Sequence, residues 1–158
     1  MFIKAFLLFL CGLLFPDPGR PENYPGDIVS NQNNDCIKLI INNIRNKSGV
    51  IRVGLYNSDI HYPDSAFQSF IIPKVTMDSG RLTWIIPLEK HGIYAISILD
   101  DENNNGKMDY RLGFLPREGF GFSNNPGIKT LSVPAYNTVS FPFNGGRKII
   151  SVNMVYIL

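Results

Sequence analysis

The sequence predicts an all-β fold, an antiparallel sandwich of about seven strands. Short runs of β-branched and aromatic residues recur from residue 36 onwards, and clusters of Gly, Asn, Asp and Pro separate them at close intervals. No segment after residue 35 shows the apolar periodicity of a long helix. With 158 residues, 44% of them hydrophobic and 18% charged, the chain can form one well-buried core. We therefore assign residues 36–158 to a single domain.

The N-terminal residues have the pattern of a secretory leader. Lys4 precedes an apolar run over residues 5–15, which matches the hydrophobic region of a signal peptide and is too short to span a bilayer. Residues 21–35 are rich in Pro, Asn, Asp and Gly and predict a linker. We expect residues 1–20 to be a signal peptide. The domain would then be exported to the periplasm or outside the cell, with membrane contact only through the leader.

The first two predicted strands cover residues 36–44 and 50–56. The second alternates, so that Ile51, Val53 and Leu55 share one face, which we expect to lie in the core. A turn-forming Asn-Lys-Ser-Gly segment separates the two strands and predicts a hairpin. Cys36 begins the first strand and has no disulfide partner once the leader is removed, so we expect a buried, unpaired thiol.

The remaining strands follow the same logic. Residues 70–77 and 81–88 flank an Asp-Ser-Gly turn and predict a second hairpin. Residues 93–99 are apolar on both faces apart from one Ser, as in a central strand. Residues 138–143 and 148–158 predict two final strands. Together these elements favour an immunoglobulin-like or prealbumin-like sandwich, while residues 110–134 are too irregular to assign.

The segment 101–109 has the spacing of a calcium loop. Side-chain oxygens fall at its first, third, fifth and ninth places, and Gly occupies the sixth, where the chain must turn sharply. The seventh place would supply a backbone carbonyl. The predicted ligands are therefore Asp101, Asn103, Asn105, the Lys107 carbonyl and Asp109.

The loop departs from an EF-hand at its twelfth place. Leu112 stands where a bidentate Glu is required, and Gly113 and Pro116 prevent a following helix. We expect Asp100 or Glu118 to supply a further carboxylate, and a calcium affinity of about 10⁻⁴ to 10⁻³ M. The alternative is an Asx-rich hairpin turn built on Asn105 and the following Gly, which needs no metal.

Other features narrow the function. A net charge of +2 with scattered Lys and Arg excludes a typical nucleic-acid-binding surface. Neither histidine lies in a metal-spaced pair, and no nucleophile motif is present. Phe120 and Phe122, in a Gly-rich segment, favour packing beneath a loop over forming a platform for a ligand.

Three blocks of sequence together carry a family resemblance. They are Gly-x-Tyr-Ala-Ile at 92–96, Asp-Asp-Glu-Asn-x-Asn-Gly-Lys-x-Asp at 100–109, and Gly-x-x-Pro-x-Glu-Gly-x-Gly-Phe-Ser-Asn at 113–124. This combination resembles a bacterial family of secreted domains of unknown function (DUF2141). The resemblance implies a small extracytoplasmic β-sandwich, implies no activity, and links the 101–109 loop to Glu118.

The expected function is that of a noncatalytic binding or accessory module with a calcium-stabilised loop and a protein or glycan partner. One alternative is a secreted hydrolase that uses Asp101, Asp109 and Glu118 as acid and base. Another is a structural domain of an envelope assembly that adds a partner to an exposed edge strand.

Overall fold

A computed structural model describes residues 35–127 and 132–157. The predicted leader, 1–20, and the predicted linker up to residue 34 lie outside the described residues. In the described ranges the chain forms β1 (Cys36–Asn42), β2 (Val50–Tyr56), β3 (Gln68–Pro73), β4 (Leu82–Pro87), β5 (Gly92–Asp101), β6 (Tyr110–Arg111), β7 (Leu115–Pro116), β8 (Gly119–Phe122), β9 (Phe141–Phe143) and β10 (Arg147–Asn153). A 3₁₀ turn, Lys74–Thr76, and one helical turn, Tyr136–Val139, complete these elements. The predicted all-β class is confirmed.

The strands form two main sheets. A three-stranded sheet has the order β10-β1-β4, with β1 parallel to β10 and antiparallel to β4. A five-stranded sheet has the order β3-β2-β5-β8, and β9 also pairs with β5. All pairings in this second sheet are antiparallel. The strands β6 and β7 pair only with each other among the described residues.

The two sheets share one hydrophobic core. Alternate residues of β1 and β2 point into it, because successive side chains of a strand lie on opposite faces. The buried members from these two strands are Ile37, Leu39, Ile41, Ile51, Val53 and Leu55. The predicted inner face of β2 is therefore confirmed.

A second apolar cluster covers the opposite face of the five-stranded sheet. It contains Tyr56, Leu99, Phe120 and Phe122 from the strands and Met108 from the loop after β5. Strand β5 is thus buried on both faces, as predicted for a central strand. The two phenylalanines pack in this cluster, as their sequence context favoured.

Both predicted hairpins are wrong. The strands β1 and β2 lie in different sheets. The connection between them buries Ile44, whose N–H donates to the Gly80 carbonyl. The strands β3 and β4 also lie in different sheets, although Asp78 and Arg81 form a bridge at their turn. The 3₁₀ turn that contains buried Lys74 carries the chain across. The turn residues mark where the chain reverses, but they do not specify which sheet receives the next strand.

Smaller differences concern the C-terminal part. Residues 136–139 form a helical turn that buries Val139, so β9 begins only at Phe141. The region 110–134, unassigned from sequence, contains β6, β7 and β8. Cys36 is buried and unpaired, as expected. No described helix has the length and apolar character needed to cross a membrane.

Candidate functional site

The predicted ion loop, residues 101–109, connects β5 to β6. Hydrogen bonds to the carboxylate of its first residue hold the loop in a bend. Asp101 is fully buried, and its carboxylate accepts the N–H of Asn105 at 3.0 Å and the N–H of Gly106 at 2.9 Å. Asn104 and Gly106 adopt positive φ angles of 57° and 82°, which Asn and Gly tolerate best. The chain therefore wraps around the Asp101 carboxylate.

The other polar side chains of the loop turn inward. Asn103 Oδ1 accepts the Asn105 N–H at 3.1 Å, and Asn105 Oδ1 accepts the Lys107 N–H at 3.0 Å. Both side-chain amides donate to the Asp109 carboxylate, at 2.6 Å from Asn103 and 3.1 Å from Asn105. The structure thus brings together the predicted side chains of the first, third, fifth and ninth places. Lys107 takes part in these contacts through its backbone N–H, and not through the carbonyl predicted as a ligand.

Glu118 fastens the two ends of the loop. It is buried, its Oε1 accepts the Glu102 N–H at 2.9 Å, and its Oε2 accepts the Asp109 N–H at 3.1 Å. Burial raises the pKa of Glu118, the backbone N–H groups oppose that rise, and the charges of Asp101 and Asp109 add to it. The link between the loop and Glu118 is present, and its contacts here are to the backbone.

A buried arginine that was not anticipated from the sequence lies beside the loop. Arg52, on the outer face of β2, donates from Nε to Asp101 Oδ2 at 2.5 Å and from its terminal nitrogen to Asn104 Oδ1 at 3.1 Å. The two ionic side chains are 7% and 0% exposed. The only sequence signal was one charged residue within an otherwise apolar strand. Arg52 supplies positive charge where the loop carries its most buried carboxylate.

A second buried ion pair lies on the opposite face of β5. Asp100 precedes Asp101 and therefore points into the core between the sheets. Its Oδ1 pairs with the amine of Lys74, and its Oδ2 accepts the Tyr156 hydroxyl at 2.6 Å. Burial raises the pKa of Asp100, while the hydrogen bonds from Lys74 and Tyr156 oppose that rise. Burial and the bond to Asp100 also raise the pKa of Tyr156.

A partly exposed ion pair links the β1–β2 connection to the loop. The Arg45 guanidinium donates twice to Glu102, at 2.6 and 2.8 Å, and lies 4.6 Å from the ring centre of Tyr156. Asn46 donates to the same carboxylate at 2.9 Å. The hydrogen bond from Arg45 lowers the pKa of Glu102. These contacts fix the β1–β2 connection against the loop.

The side chains of the loop offer the types of oxygen ligand that calcium binds. Asp101 and Asp109 offer carboxylates, and Asn103 and Asn105 offer amide oxygens, which are the ligand types that calcium prefers. Within the described residues, no group of three or more His, Cys, Asp or Glu side chains is arranged to hold a metal. Any ion here would depend on the amides and share Asp101 with Arg52.

Comparisons with known proteins place the chain by family alone. No curated protein and no solved structure matches it. A family model described as an uncharacterized protein conserved in bacteria matches residues 39–151, which include the loop, Glu118 and both sheets apart from the start of β1 and the end of β10. The chain belongs to this bacterial family, DUF2141.

Proposed function

We propose that this chain is an exported, noncatalytic binding or accessory module whose loop at 101–109 is stabilised by calcium. The observation that carries the proposal is the inward convergence of Asp101, Asn103, Asn105 and Asp109. Rotating each Asn side-chain amide by half a turn would present its oxygen in place of its nitrogen, with loss of the hydrogen bonds that the two oxygens accept from the Asn105 and Lys107 N–H groups, a loss that the cation must offset. A cation between those oxygens and Asp109 would then replace the amide–carboxylate contacts. Arg52 already neutralises part of the charge, which supports weak binding of about 10⁻⁴ to 10⁻³ M.

The engagement of the carboxylates supports a noncatalytic role. A hydrolase of the two-carboxylate type needs an acid and a base that face the substrate. Asp101 is bound by Arg52 and two backbone N–H groups, and both oxygens of Glu118 are bound by backbone N–H groups. Asp109 is bound by two amides. Each of these groups holds the loop in shape.

An apolar tip next to the loop supports a binding role. The turn between β6 and β7 exposes Leu112 and Phe114, whose exposed fractions are 77% and 37%. Leu112 and Gly113 hold positive φ angles of 54° and 78° in this turn. Exposed apolar side chains beside a structured loop suit a protein or glycan partner. The leader pattern of residues 1–20 supports export to the periplasm or beyond.

Thermal unfolding with and without calcium tests the proposal. Millimolar calcium should raise the unfolding midpoint relative to chelator, because a ligand that binds only the folded state stabilises it. Asp109→Asn should abolish that shift. Asp78→Asn, in an exposed turn, is the matched control and should retain it. Equal midpoints of the unaltered protein in calcium and in chelator would contradict the proposal.

A structural role in an envelope assembly is the second candidate. The strands β3 and β4 are edge strands among the described residues, and neither carries a charged residue. Uncharged apolar edges accept additional strands readily. Edge addition predicts that a partner increases hydrogen-exchange protection of β3 or β4 amides. A mature domain that stays monomeric and gains no such protection in envelope extract would exclude it.

The finer fold assignment is also a proposal. We infer an immunoglobulin-like or prealbumin-like sandwich, supported by the shared core of the two sheets and by the parallel pairing of the first and last strands. An experimental structure superposed on both fold types tests the assignment.

A further inference from the structure

Lys74 and Asp100 form an isolated reactive pair inside the sandwich. Their side chains are 1% and 0% exposed. Lys74 lies in the 3₁₀ turn between the sheets, and Asp100 lies on the central strand β5. Apart from their mutual contact, the Lys74 amine and Asp100 Oδ1 have no hydrogen-bond partner. An amine and a carboxyl group are thus held together without solvent.

We propose that Lys74 and Asp100 condense to an intramolecular isopeptide bond, which links the β3–β4 crossover covalently to β5. The direct contact between the Lys74 nitrogen and Asp100 Oδ1 lets one proton pass from nitrogen to oxygen, which leaves an amine with a free lone pair and a carboxylic acid. A desolvated lysine amine is a competent nucleophile. Fixed contact between the two groups removes the entropic barrier to their encounter.

The reaction balances without a cofactor or an oxidant. The Lys74 Nζ lone pair attacks Asp100 Cγ, the C–N bond forms, and the carbonyl electron pair moves onto Oδ2. Oδ1, which already carries the first proton from the lysine, takes a second proton from Nζ; the C–Oδ1 bond then breaks, water leaves, and the electron pair on Oδ2 re-forms the carbonyl. The products are one secondary amide and one water molecule.

Tyr156 is the catalytic residue of this step. Its hydroxyl donates to Asp100 Oδ2 at 2.6 Å, where negative charge develops in the tetrahedral intermediate. The same hydroxyl oxygen accepts the Arg45 N–H at 3.1 Å, which directs the phenolic proton towards Asp100. The ring lies against Gly119, where a Cβ atom would overlap it. Tyr156 is therefore both polarised and fixed in position.

The neighbouring pair provides an internal comparison. Arg52 and Asp101 are also buried and in contact. A guanidinium does not lose its proton in proteins and so offers no free amine. Asp101 should therefore remain an unmodified carboxylate, and the cross-link should be confined to Lys74 and Asp100.

Peptide mapping of the unaltered full-length protein under denaturing conditions tests the bond. Trypsin normally cleaves after Lys74. An isopeptide bond would block that cleavage and yield one branched species that joins residues 53–81 to residues 91–107. Its mass would be that of the two peptides less one water. Recovery of these segments unlinked, with cleavage after residue 74, would overturn the proposal and requires no variant.

Variants then assign the roles. Lys74→Met should remove the branched species, whereas Lys38→Met, a matched lysine on β1, should retain it. In a cell-free synthesis, where the chain starts unlinked, Tyr156→Phe should slow the appearance of the branched species at least about tenfold, because the donor to Oδ2 is lost. A branched species that persists in Lys74→Met would contradict the assignment of the nucleophile. An unchanged rate in Tyr156→Phe would overturn the catalytic role of the hydroxyl.

Discussion

Asp100 and Asp101 are consecutive residues of β5, yet each contacts a different buried basic side chain on an opposite face of the sheet. Asp100 pairs with Lys74 between the sheets, and Asp101 pairs with Arg52 beneath the loop. Strand geometry imposes this division because neighbouring side chains point to opposite sides. One strand end therefore carries two separate contacts between an acidic and a basic side chain, one on each face of the sheet.

Replacing Arg52 should leave the buried Asp101 carboxylate without its charged partner. Arg52→Met leaves Asp101 without its cation, and we expect a loss of about 3–5 kcal/mol in the free energy of unfolding. Denaturant titration measures it. The same change in an Asp101→Asn background should cost less, since no charge is then left unpaired. Arg111→Met, at an exposed position, is the control and should change stability little. Equal losses in both backgrounds would contradict this account.

Glu118→Gln should loosen the loop at both ends. The carboxylate accepts two backbone N–H groups, whereas an amide offers one oxygen and turns its NH₂ against the other donor. We expect a loss of about 1–3 kcal/mol. Hydrogen exchange at the Glu102 and Asp109 amides should accelerate. Glu89→Gln, which is exposed, should leave both amides unchanged. Unchanged protection in Glu118→Gln would show that these bonds do not hold the loop.

Gly49→Ala should destabilise more than Gly146→Ala. Both glycines have positive φ, 68° and 69°, so each substitution carries the backbone penalty of about 1–2 kcal/mol. A Cβ atom at residue 49 would also overlap the carbonyl oxygen of Asp101, while residue 146 has open space around it. We expect a further loss of about 1–3 kcal/mol for Gly49→Ala from this overlap. Urea unfolding of the two variants measures the difference, and equal midpoints would refute the contact.

The Arg45–Glu102 pair should contribute stability at neutral pH and lose it in acid. The pKa of Glu102 is lowered by its hydrogen bond with Arg45, so the unfolded chain binds the proton more tightly. The contribution is present above the unfolded value of 4.5 and disappears as the pH falls through the lower folded value. The stability difference between the unaltered protein and Glu102→Gln should therefore shrink below pH 4.5. Denaturation at a series of pH values measures it, and a pH-independent difference would contradict it.

Local sequence pattern predicted the strands better than their partners. The alternation of Ile51, Val53 and Leu55 and the apolar character of β5 follow from side-chain geometry within one strand, and both appear in the structure. Pairing depends on which sheet buries the next strand. The connections that contain Ile44 and Lys74 cross between the sheets, and no local turn signal distinguishes such a crossing from a hairpin.

Sequence spacing predicts which residues share the candidate loop, but not which side chains reach that loop from other strands. The spacing of Asp101, Asn103, Asn105 and Asp109 placed them in one loop, because residues close in sequence must remain close in space. Arg52 and Lys74 come from distant strands and turns, and Lys and Arg are seldom buried unless paired. Their positions depend on the fold that brings Asp100 and Asp101 to them.

The parallel pairing of β1 with β10 has a consequence for how the chain folds. The register runs from Cys36 opposite Arg147 to Asn42 opposite Asn153, so the first strand described depends on the last. Closing so long a loop is entropically unfavourable, and folds dominated by distant contacts form slowly. The three-stranded sheet cannot be completed before residue 153 is available. We therefore expect a chain that ends before β10 to lack the completed three-stranded sheet and the core that this sheet shares with the five-stranded one.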